Sequence, residues 1–256
     1  MRGRTTWCWL MTMLLLASSL HAAPAERRVL FVGNSLTYFN NLPAAFASLA
    51  PPGEAVAVDA FARPGARLLD DLDDPLLARL LARGGYTDVV FQERGGDALC
   101  MPGSGACREL SAAAQASAQL AAAARAGGAR VFYLGTWQVN PIVEPALIHG
   151  ERLIARRMQA TYIPIGHVWL ALRVAQPDTN WLAPDGQHPG RATTALLAVR
   201  SWQAVTGRSP TRAPCVGGAL YTHMPSADGF FRVNPDARPR TCLVSPALMR
   251  AMLGAP

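Results

Sequence analysis

"VLFVGNSLTYFN" (residues 29–40) decides how the rest of the chain is read. Val29, Leu30, Phe31 and Val32 are apolar at consecutive positions, as in a strand buried on both faces of a parallel sheet. Gly33 breaks the run, and Asn34 and Ser35 follow at the carboxyl end of that strand. Ligands of open α/β sheets bind beyond this edge, which sets Ser35 at the mouth of a cleft with its hydroxyl and its own backbone N–H available. Alone, the triplet also reads as an ordinary turn and helix cap.

Outward from that strand, the chain alternates strand-like and helix-like segments. "LPAAFASLA" reads as helix, "AVAVDAFA" as strand, "LLDDLDDPLLARLLARG" as helix and "TDVVFQE" as strand. There follow an alanine-rich helix over residues 109–126, capped by Gly127 and Gly128, the strand "ARVFYLGTW", a helix around "ALIHGERLIARRMQA", "YIPIGHVW", and a helix over "ATTALLAVRSWQAVTG". Such alternation predicts one α/β domain, doubly wound in three layers around a mainly parallel sheet. Residues 26–210 form this domain. Residues 211–256 lose periodicity and turn rich in Pro, Gly and Arg, which predicts an irregular tail packed on the same domain.

The first 25 residues read as a secretory signal peptide. Arg2 and Arg4 precede an apolar run through Leu10, Met11 and Leu14 to Leu16, and Ala22, Ala23 and Ala25 offer peptidase sites. The run is short for a bilayer span, and no later segment is long and apolar enough for one, so the expected product is periplasmic or secreted. Export changes how cysteine is read. Cys100, Cys107, Cys215 and Cys242 are an even number in an oxidising compartment, and local pairing, Cys100 with Cys107 and Cys215 with Cys242, is expected. Neither pair has zinc-like spacing or nearby histidines, so no metal is expected. The formal net charge is +7 and every basic residue is arginine. A basic exported protein suits anionic cell-wall or polysaccharide surfaces; the scattered arginines, without interleaved stacking aromatics, argue against nucleic acid.

A nucleophilic serine needs a base, and the base an orienter. "APDGQHPG" supplies both, with Asp185 and His188 three apart in a Pro/Gly-rich loop just ahead of a helix. One loop can aim the carboxylate at one imidazole nitrogen and leave the other for Ser35.

Gly-x-Ser near the start and Asp-x-x-His near the end resemble the SGNH (GDSL-like) hydrolase superfamily. "GNSL" stands where that family has Gly-Asp-Ser-Leu, "ARPGARLLDDL" looks like its second block, "DVVFQE" falls at its third, and "DGQHP" matches its Asp-x-x-His. The resemblance spans residues 28–210 and implies an SGNH/flavodoxin-like fold and ester hydrolysis without a cofactor. It implies Ser35 as nucleophile and oxyanion donor, Gly65 as a second donor, and His188 as the base oriented by Asp185. The third block departs from the family: Gln92 stands in for its asparagine as third oxyanion donor. Asn34 replaces the first block's aspartate in a structural role.

Trp137, after another strand end, is a candidate substrate wall. His149 and His167 read as structural or surface residues, and His223 lies in the tail, less favoured than His188. Asp70, Asp71, Asp73 and Asp74 precede a helix, where negative charge suits the N-terminus. The expected substrate is a small acyl ester, or an acylated glycan carrying acetyl groups. Two alternatives remain open: the same triad passing its acyl group to a sugar hydroxyl, and a glycan-binding module that keeps the fold without catalysis.

Overall fold

The opening stretch forms β1 (Arg27–Gly33), one of two central strands in a six-stranded sheet. Val29 and Phe31 join one core layer, Leu30 and Val32 the other, and all four are sealed from solvent. Burial of each such side chain contributes roughly 1.5–3 kcal/mol, so both faces of the sheet need a helical cover. The computed structural model describes residues 27–255 apart from positions 55, 84 and 100–105. The expected leader and the Cys100–Cys107 pairing lie outside the described residues.

After β1 come α1 (Ser35–Tyr38), a 3-10 turn (Phe39–Asn41), α2 (Leu42–Ala47) and β2 (Val56–Ala62). The chain continues through α3 (Pro75–Ala82), β3 (Asp88–Gln92), α4 (Ala106–Ala126), β4 (Arg130–Leu134), α5 (Glu144–Met158), β5 (Thr161–Ile163), α6 (Gly166–Ala175) and α7 (Arg191–Thr206). The sheet order is β5-β4-β3-β1-β2, and every one of these neighbours pairs in parallel. The chain winds from β1 to β2 on one side and then to β3 on the other. The crevice beyond the carboxyl ends of β1 and β3 is therefore the topological switch point, where such folds bind ligands. Helices α2, α6 and α7 cover one face, and α3, α4 and α5 the other, which makes the α/β fold three-layered as expected.

Two local expectations change. The helix read from residue 68 starts only at Pro75: Asp74 caps it by accepting from the N–H groups of Leu76 and Leu77 at 2.8 and 3.0 Å, and proline suits the first helical position. "YIPIGHVW" divides into the short β5 and the start of α6, so His167 lies on a helix and is exposed.

The tail is more regular than its sequence suggests. It contains β6 (Cys215–Gly217), β7 (Phe230–Arg232), β8 (Arg240–Cys242) and α8 (Pro246–Gly254). β7 adds to the main sheet antiparallel to β2, while β6 and β8 pair with each other and carry the Cys215–Cys242 disulfide. Met249 and Met252 of α8 enter the core beside α7. Three-residue strands are too short to display an alternating pattern, so these elements are set by the edges they meet. No helix among the described residues is long and apolar enough to cross a membrane.

Candidate active site

Ser35 is the first residue of α1 and lines a cleft of about 1160 Å³ at the switch point. The turn before it is tightly specified. A side chain at Gly33 would put its first carbon 2.5 Å from Thr37 Oγ1, so only glycine fits. Asn34 is buried; its Oδ1 accepts from Leu36 N–H and its Nδ2 donates to the Ala66 carbonyl, both at 3.1 Å. The second bond explains the departure from aspartate, because a carboxylate has no hydrogen to give. It also ties the serine turn to the loop of Gly65, whose φ of +65° belongs to the left-handed region that glycine enters freely. The backbone N–H groups of Ser35 and Gly65 have no acceptor among the described residues.

Glu93 braces this side from below. Its buried carboxylate accepts from Leu68 N–H at 3.2 Å and Arg94 N–H at 2.8 Å, joining the Gly65 loop to the end of β3. Burial pushes its pKa up to about 7, against the pull of those two N–H groups.

Asp185 and His188 occupy a turn closed by a bridge between Leu182 and Pro189. One carboxylate oxygen of Asp185 accepts from the backbone N–H groups of Gln187 and His188, each at 2.9 Å; the other lies 2.7 Å from His188 Nδ1. Those backbone hydrogen bonds, with the imidazole's added, lower the Asp185 pKa to about 2. An ionised carboxylate only accepts, so Nδ1 of a neutral imidazole carries the proton and Nε2 presents a lone pair. Nε2 has no partner among the described residues, and neither has Ser35 Oγ.

The serine and histidine sides meet through two residues that sequence reading missed. Phe39 stacks on the His188 ring with centroids 4.1 Å apart and planes 7° from parallel. Asn40 donates through Nδ2 to the Pro189 carbonyl at 2.8 Å and to Thr194 Oγ1 at 3.1 Å. Both Asn40 and Asn41 have positive φ. The available signal was "YFNN", since asparagine is among the few side chains that tolerate this conformation.

A third wall comes from the loop after β4. Glu151 Oε1 holds the N–H and hydroxyl of Thr136 at 2.7 and 2.8 Å, and Glu144 holds Gln138 N–H at 2.7 Å. Burial raises both carboxyl groups, Glu151 to about 7. Trp137, between these anchors, lines the cleft and stacks on Trp169 at 5.8 Å, so it is both wall and core.

Gln92 does not take the place expected of a third oxyanion donor. It is buried as the last residue of β3, outside the cleft lining, and its Oε1 accepts from Thr37 Oγ1 at 2.6 Å. The space left by Gly33 lets it pack beneath α1. Arg94 and Gly95 line the cleft at that strand end instead. His149 and His167 are exposed outside the cleft, whereas His223 of the tail lines it. Among the described residues, no three His, Cys, Asp or Glu side chains converge as a metal site.

The strand order and the cleft at the switch point define a class, the flavodoxin-like α/β folds, and the solved structures that resemble this chain narrow it to the SGNH hydrolase fold. A structure described as an SGNH hydrolase from Slackia heliotrinireducens matches with a TM-score of 0.57 and 26% identity, over 70% of this chain and 99% of its own. The structure of TesA matches with 0.53 and 23%, over 71% and 99% respectively. A variant of an acetyl-xylooligosaccharide esterase from Geobacillus matches with 0.54 and 13%, over 73% and 97%. No protein-family model matches the sequence, and no curated protein does. The chain has the SGNH hydrolase fold and stands among enzymes that hydrolyse ester bonds.

Proposed function

We propose that the protein is an exported serine esterase that removes small acyl groups, acetyl in particular, from carbohydrate or cell-wall glycan. The observation that carries this reading is the Asp185–His188 contact of 2.7 Å in the same cleft as Ser35, with the second imidazole nitrogen unbonded. Ser35 Oγ attacks the ester carbonyl carbon while His188 Nε2 takes its proton. The negative oxygen is met by the N–H groups of Ser35 and Gly65, neither of which has another acceptor among the described residues. Collapse breaks the ester bond, and His188 returns the proton to the leaving alcohol. Water, deprotonated by the same imidazole, then releases the acid from Ser35. No hydrogen bond joins Ser35 Oγ to His188 Nε2 in the free protein, and catalytic hydrogen bonds of this kind commonly form only once substrate is bound.

Export is supported by the leader-like first 25 residues and the Cys215–Cys242 disulfide. A carbohydrate substrate is supported by the cleft volume and by the printed substrate of one structural neighbour. Ser35→Ala is expected to fold normally by circular dichroism and to lose roughly a thousandfold or more of its turnover of p-nitrophenyl acetate. Near-normal turnover would refute the nucleophile.

A further inference from the structure

The cleft has a wall built by the tail, and it is held in place from three directions. The Tyr221 carbonyl accepts from Asn40 N–H at 2.9 Å, at the pin that joins serine and histidine sides. The Tyr221 ring meets Phe231 edge-on at 5.8 Å, and Phe231 sits on β7, hydrogen-bonded to β2. The Cys215–Cys242 disulfide closes the whole segment into a loop. Thr222 and His223, next in the chain, are thereby presented in the cleft, exposed and without hydrogen-bond partners among the described residues. The structural neighbours are covered almost end to end by about 70% of this chain, so the chain has substantial length beyond the shared fold. A small acyl group fills only the space beside Ser35 and the two unused N–H groups; most of the 1160 Å³ is left for the alcohol portion.

From this we infer that Thr222 and His223 form the glycan-side wall of the cleft, and that His223 is a specificity-determining residue that hydrogen-bonds the sugar part of the substrate. The inference rests on the serine-esterase reading. A threonine hydroxyl and an imidazole both donate and accept, as sugar hydroxyls do, and a few placed polar groups of this kind orient a ligand in a large cleft.

The test compares p-nitrophenyl acetate with a panel of acetylated xylo-, chito- and gluco-oligosaccharides. His223→Ala should keep kcat/KM on the small ester within about twofold, and lower it about tenfold on the oligosaccharide that the native protein cleaves best, the size of one lost hydrogen bond. The loss should appear in KM, and His223→Gln should restore part of it. Calorimetric binding of the same oligosaccharide to the Ser35→Ala protein should weaken to a similar degree when His223→Ala is added. Equal losses on both substrates, no loss on either, or no cleavage of any oligosaccharide by a protein active on the small ester would each overturn the inference. Full activity of Ser35→Ala would instead overturn the esterase reading, whatever His223 does.

Discussion

Ser35 stands on ground that the core holds, whereas His188 stands on a turn that largely holds itself. Beneath the serine are buried Asn34 and Glu93, whose bonds reach residues about 25 to 32 positions away in the chain. The histidine's carboxylate partner is three residues away, with its side chain 44% exposed, and nearly all its bonds lie within the same turn. Even the pKa values of the two carboxyl groups are shifted in opposite directions. Burial raises Glu93 to about 7, and backbone N–H groups lower Asp185 to about 2. The difference teaches that changes to the buried supports Asn34 and Glu93 should cost stability, whereas changes in the histidine turn should cost activity with little change in stability.

The largest effect that tests this contrast belongs to Asp185. Asp185→Asn keeps an oxygen to accept the two backbone N–H groups but no longer fixes the imidazole tautomer. Turnover should fall on the order of a thousandfold, with the melting temperature nearly unchanged because the group is exposed. A large drop in melting temperature would show that the turn is not self-sufficient.

Asn40 comes next, because it is where the two sides are pinned. Asn40→Gly keeps the positive φ available and removes only the side-chain bonds to Pro189 and Thr194. A misplacement of His188 of about 1 Å then follows, and turnover should fall roughly ten- to a hundredfold. Unchanged kinetics would mean that Phe39 alone aligns the histidine.

The smallest effect is a pH dependence of stability. Glu93 and Glu151 have native values of about 7 against an ordinary 4.5, so the folded chain keeps protons that the unfolded chain has released. Their stabilising effect is whole below about 4.5, declines as pH rises to about 7, and is then spent. Asp185 acts the other way: its contribution is present above 3.8 and is lost as pH falls toward 2. Calorimetry should therefore find the melting temperature several degrees higher near about pH 5 than near about pH 8, at about 2–4 °C per kcal/mol for a chain of this size. Equal melting temperatures would show that the buried glutamates stay charged.

The same contrast explains what could be read from sequence. β1 was legible because four consecutive apolar residues mean a strand buried on both faces, and Asp185-x-x-His188 because its chemistry is local to one turn. Gln92 misled because a carboxamide at a strand end says nothing about which side of the sheet it faces; Gly33 leaves a hole beneath α1, and Gln92 packs there. Phe39 and Asn40 were illegible as site residues because their partners lie about 149 positions away. The tail's edge strand and His223 were hidden for a related reason: short elements take their form from a neighbouring edge that no local pattern announces.

The central claim, that Ser35 is activated by His188, is tested most directly by labelling with a serine-reactive phosphonate followed by peptide mass mapping of native protein and His188→Ala. The account predicts one adduct, on the peptide carrying Ser35, formed about a hundredfold or more slower without the imidazole. No adduct, an adduct on another serine, or an unchanged rate in His188→Ala would contradict it.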